Sequence, residues 1–181
     1  MTSAKSNPQI MLRPQDLVVL LRLSLESGAA PSYAILAEEL NLTASEIHAG
    51  INRALAAQLV RKDESGKVIL VREALRLFIQ HGARYAFPAV HGSISRGMPT
   101  GYAAAPLRDK VVQSNEPVPV WPFKNGSVRG VTLYPLYPTV PETASRNPAL
   151  YELLVLFDSV RSGSNRERAL AIKMLDERLG G

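Results

Sequence analysis

The chain has 181 residues, room for one domain with a real core or for a small domain plus an extension. Its 46% apolar and 20% charged residues are the balance of a globular protein, and the absence of cysteine excludes a disulfide scaffold, a thiolate metal site and a cysteine nucleophile. The net charge of +5 points to an acidic partner and is unevenly spread: residues 1–80 carry +1, residues 81–146 carry +4 and residues 147–181 carry none.

The first residues lack the apolar stretch of a secretory signal. The longest apolar run, residues 17–25, is broken by Arg22 and Ser24 and is too short to cross a bilayer. A cytoplasmic protein with no membrane partner is the expectation.

Residues 1–13 read as a tail. Pro14 then opens a helix, at a position where its missing N–H costs little, and Leu17, Leu20, Leu21 and Leu25 mark its buried face. The segment from Ser27 to Pro31 ends it. Ser32 caps a second helix over residues 33–40. Asn41, which tolerates the left-handed region, turns the chain. Thr43 and Glu46 have capping-box spacing and start a third helix over residues 44–58, with Ile47, Ile51, Ala54 and Leu55 on its inner side. Two β-rich runs around the polar turn at residues 63–66 predict a hairpin over 59–70. An amphipathic helix over 71–81 follows.

Residues 83–146 concentrate proline and glycine, which argues against helix. One hairpin is expected there, pairing residues 118–121 with 128–133 through the Asn125-Gly126 turn. The stretch from His91 to Gly97 reads as a structured loop. It lacks both the spacing of a nucleophile elbow and a phosphate-loop lysine. Residues 147–181 read as a helical hairpin, opened by Asn147-Pro148. Its apolar stripes are Leu150, Leu153, Leu154 and Phe157, then Ile172, Leu175 and Leu179. The fold class expected is therefore α+β, mainly α.

The order helix, helix, tight turn, helix, β-hairpin is what a winged helix-turn-helix requires. Ala37, then Leu40, Leu42, Ile47 and Ile51, followed by Leu59-Val60, resemble the winged helix-turn-helix transcriptional regulators of bacteria, MarR-like in the broad sense, over residues 14–80. In such proteins glycine is frequent where Gln58 stands. The resemblance implies a winged helix-turn-helix over residues 14–82, followed by the extension and the helical hairpin.

A helix held by its inner face presents its outer face to the major groove. Here that face carries Ser45, His48, Ala49, Asn52 and Arg53. Asn52 suits adenine and Arg53 suits guanine. In the wing, Arg61, Lys62 and Lys67 suit phosphate. The function expected is sequence-specific binding of double-stranded DNA as a transcriptional regulator, a repressor that reads half-sites as a homodimer. The seam is expected in the C-terminal hairpin, whose two stripes cannot bury each other fully. Two rival readings use the same domain. One is an antitoxin or defence-system autorepressor whose C-terminal half holds a partner protein. The other is an enzyme with an accessory DNA-binding domain. His48, His81 and His91 form no metal-ligand spacing, and no catalytic constellation is visible. No enzyme activity, cofactor or metal is expected.

Overall fold

The computed structural model describes residues 9–111 and 116–180. Among them are eight α-helices and five short strands, an α+β architecture. The N-terminal part follows the sequence pattern closely. Helix α1 (Pro14–Leu23) has its first proline at N1, and α2 (Tyr33–Leu40) is capped by Ser32, whose Oγ accepts from the Ile35 N–H at 3.3 Å. Asn41 takes the left-handed conformation at φ 50°, and α3 (Ala44–Ala56) starts from the Thr43/Glu46 capping box. Gln58 is also left-handed, at φ 59°. An L-residue with a long side chain carries strain there that glycine would not.

Strands β1 (Val60–Lys62) and β2 (Val68–Leu70) pair antiparallel, with Arg61 opposite Ile69. Asp63 organises their turn: its Oδ1 accepts from the N–H groups of Ser65 and Lys67, both at 2.9 Å, and from the Ser65 hydroxyl. The hydroxyl bond leads in holding the Asp63 carboxyl below its ordinary range. Helices α4 (Arg72–His81) and α5 (Ala83–Ala86) lead out of the hairpin. Since α1 stops at Leu23, Leu25 is exposed rather than in the core.

The middle segment differs from expectation. The hairpin expected between residues 118–121 and 128–133 does not form: the two runs pair parallel. Strand β3 (His91–Pro99), read from sequence as a loop, pairs antiparallel with both β4 (Pro119–Pro122) and β5 (Val128–Leu133). Strands β4 and β5 pair parallel, which closes a three-stranded barrel. Gly97 has Pro122 on one side and Val128 on the other, so residues 123–127 cross over β3 at that point. Only glycine permits the crossing: a Cβ on Gly126 would stand 2.2 Å from Gly97 backbone, and one on Gly97 would stand 2.0 Å from the Trp121 carbonyl oxygen. Parallel neighbours ordinarily need a dozen or more connecting residues, and five suffice here because side chains are absent at the crossing. The Asn-Gly step therefore serves a crossover, not a hairpin turn.

Helix α6 (Val140–Arg146) leads into α7 (Pro148–Ser162) and α8 (Asn165–Leu179), the expected helical hairpin. Its apolar stripes are not left over. Helix α7 is the centre of the core, with Leu150 and every residue from Leu153 to Val160 buried. It packs against α1, α4, α5, α6, α8 and the short 3-10 turn Gly101–Ala103 that follows β3. Leu175 and Leu179 of α8 are 1% exposed. The middle segment supplies Trp121, which is buried and meets Tyr151 edge-on with ring centroids 5.7 Å apart. No helix among the described residues is long and apolar enough to cross a membrane.

Candidate nucleic-acid interface

The outer face of α3 is built by what holds its inner face. Ile47, Gly50, Ile51 and Ala54 are buried against α1 and α2. Ser45, His48 and Asn52 are thereby turned to solvent, and Ala49 is half-buried among them. Residues 45, 48 and 52 follow the three-four spacing of one helical stripe. Asn52 Nδ2 lies 3.4 Å from His48 Nδ1, and the His48 ring meets Tyr33 of α2 edge-on at 5.8 Å. The imidazole is thus positioned by both neighbours. All three side chains present hydrogen-bonding groups suited to base edges or phosphates.

Arg53 does not belong to this face, which corrects the reading from sequence. Its guanidinium turns inward onto Asp16 of α1 in a two-point contact, Nε to Oδ2 and Nη2 to Oδ1, each 2.7 Å. Asp16 is 1% exposed, and Oδ2 also accepts the Arg13 N–H at 2.8 Å, completing the start of α1. A carboxylate so deeply buried needs a counter-charge, and Arg53 is the cation within reach. The Asp16 bond raises the Arg53 pKa above its ordinary value. Gly50, one turn before Arg53, makes the approach possible: a Cβ there would stand 2.8 Å from Asp16 Oδ1. Glycine inside a helix costs about 1 kcal/mol relative to alanine. A glycine kept at that cost is the signal in the sequence for a close contact at this position.

The N-terminus of α3 carries a second unexpected contact. Glu46 Oε2 accepts from the Thr43 N–H and hydroxyl, both at 2.8 Å, while Oε1 accepts from the Tyr137 hydroxyl at 3.0 Å. The Thr43 backbone bond, then the two hydroxyls, hold the Glu46 carboxyl below its usual range. Thr139 donates to the Leu40 carbonyl oxygen at 3.0 Å. The segment after β5 therefore straps the turn between α2 and α3.

In the β1–β2 hairpin, Arg61, Lys62 and Lys67 are all exposed. Among the described residues none of the three side chains forms a salt bridge. The structure thus leaves together a polar stripe on α3 and three exposed cations on the adjoining hairpin. No group of three His, Cys, Asp or Glu side chains suited to a metal occurs among the described residues. Comparisons with protein-family models, with curated proteins and with solved structures return no match for this chain.

Proposed function

We propose that the chain is a sequence-specific binder of double-stranded DNA and acts as a transcriptional regulator, a repressor that uses residues 14–82 as a winged helix-turn-helix. The observation that carries this is the exposed stripe Ser45, His48 and Asn52 on α3, flanked by the exposed cations Arg61, Lys62 and Lys67 of the hairpin. A helix of this size fits the major groove, and cations beside it neutralise phosphates on either side. In this reading Asn52 reads a base edge, while Arg53 sets the pitch of α3 on α1 without touching a base.

Pairing of two copies on adjacent half-sites remains the natural way for one such domain to gain specificity. The buried stripes of α7 and α8 rule themselves out as the seam, so in this reading two copies meet through some other face of the molecule. Fluorescence anisotropy with duplexes from the DNA upstream of the protein's own coding sequence tests the proposal. Asn52→Ala should cost about 1–3 kcal/mol at one base pair and relax preference there. Neutralising Arg61, Lys62 and Lys67 together should weaken binding to every duplex and shallow the salt dependence by about two to three units of slope. Equal, weak affinity of the native protein for upstream and unrelated duplexes would overturn it.

A further inference from the structure

The basic excess of the chain lies in its middle segment, and the barrel shows where it gathers. Residues 85–108 and 117–141 contain no aspartate or glutamate. Within the strands, Arg96 of β3 stands directly opposite Arg129 of β5. Both are exposed, and among the described residues neither has a hydrogen-bond or ion-pair partner for its guanidinium. Directly opposed residues on one face of an antiparallel pair have Cβ atoms about 5 Å apart, and like charges there repel. The crossover adds a third cation. The Phe123 N–H donates to the Arg96 carbonyl oxygen at 3.3 Å, and exposed Lys124 follows it.

We propose that Arg96 and Arg129, with Lys124 beside them, clamp a backbone phosphate of the same DNA duplex that α3 reads, an inference that rests on the DNA-binding function proposed above. An anion between two guanidinium groups turns their repulsion into a shared attraction, and planar forks suit phosphate oxygens in two-point contacts. A duplex is favoured over a small anion because the site is an open ribbon face, without an enclosing pocket. It is favoured over a separate partner because the barrel is fastened to α3. Tyr137, bonded to Glu46, is eight residues beyond Arg129. Eight residues of extended chain span at most about 29 Å, less than one turn of duplex at roughly 34 Å. The hydrogen bonds of Trp121 and Thr100 to Asp158 further fix the barrel to α7, so the two surfaces move as one.

The test is anisotropy with a 30-base-pair upstream duplex over a salt series, using four proteins. They are the native chain, Arg96→Gln/Arg129→Gln, the wing variant Arg61→Ala/Lys62→Ala/Lys67→Ala, and Arg166→Ala/Lys173→Ala as a control for lost net charge on α8. The glutamine variant keeps the aliphatic stems. Its thermal melt should match or exceed the native one, because a repulsion is removed. The clamp predicts a salt slope shallower by about one in the arginine variant, because the two guanidinium groups share one phosphate, and unchanged in the α8 control. If the wing variant loses slope and the arginine variant does not, the clamp is wrong while the DNA-binding function stands. If the arginine variant loses slope and the wing variant does not, the clamp stands and the wing assignment falls. Equal loss in the α8 control would reduce the effect to net charge and overturn the clamp. A native chain that binds no duplex would overturn both.

Discussion

Two buried aspartate–arginine pairs divide the structural work of this molecule, and they are built differently. Asp158 and Arg161 sit three residues apart on α7, with side chains 2% and 4% exposed. The pair itself is local, but the Asp158 carboxylate gathers distant neutral donors: the Thr100 hydroxyl and the Trp121 indole N–H, both at 2.6 Å. Arg161 adds a bond to the Tyr134 carbonyl oxygen at 2.7 Å and lies over the Phe157 ring. Asp16 and Arg53 are 37 residues apart and join α1 to α3, with Arg53 16% exposed. The first pair is a hub that attaches three barrel segments to the core helix. The second is a single strut that orients one helix. A hub should fail as a unit, and a strut should fail by letting one element turn.

The largest effect should follow from Asp158→Ala, which leaves a buried guanidinium and two buried donors unpaired. Loss of one partner of a buried pair costs about 3–5 kcal/mol, so chemical denaturation should show a large fall in midpoint, with Trp121 fluorescence and far-UV dichroism shifting together. Separate transitions would show that the barrel can leave without unfolding α7, and would break the idea of a hub.

Asp16→Ala should cost less, about 2–3 kcal/mol, because the freed guanidinium of Arg53 is already partly at the surface and can turn to water. Its distinguishing sign is local: amide exchange should quicken in α3 and not in the barrel. A uniform change across both would remove the contrast between strut and hub.

The smallest expected effect is at the strap. Tyr137→Phe removes one hydroxyl bond to Glu46 and should cost about 0.5–1.5 kcal/mol. The pH dependence sharpens this. The Glu46 carboxyl is held below its ordinary value of 4.5 by the bonds it accepts. Its contribution is therefore complete above that ordinary value and is lost as pH falls through the lowered one. Acid titration of stability should be less steep in Glu46→Gln than in the native chain. Identical acid limbs would show that the cap contributes nothing.

The two halves of the chain also differ in how far they could be read beforehand. Ser32, Asn41, Thr43 and Glu46 act on backbone within four residues of themselves, so α2, the turn and α3 were legible from the sequence, as was the hairpin formed around Asp63. The barrel was not, because its logic is non-local. Strand β3 has no clean alternation, since its neighbours on both sides are strands of a closed ring and one of its inward positions is the bare Gly97. The Asn125-Gly126 signal was real as a tight turn, closed by the Gly126 N–H on the Phe123 carbonyl oxygen, but not as a hairpin between antiparallel strands. At the site, Ser45, His48 and Asn52 lie where helical periodicity put them. Arg53 does not, because periodicity cannot see a buried carboxylate arriving from another helix. The same blindness hid Tyr137, and it hid the opposed arginines, which are 33 residues apart in sequence and adjacent only through the β3–β5 register.

The closed ring of β3, β4 and β5 has a consequence for recognition. An open sheet offers its outermost strand as a template, and many partners attach by lending one more strand to it. A ring of three has no outermost strand. Where strands of the ring are paired on both sides, a partner must grip projecting side chains rather than backbone. Such a surface is blind to the main chain of an extended peptide, and it is tuned by exchanging single residues with no change in the strands beneath.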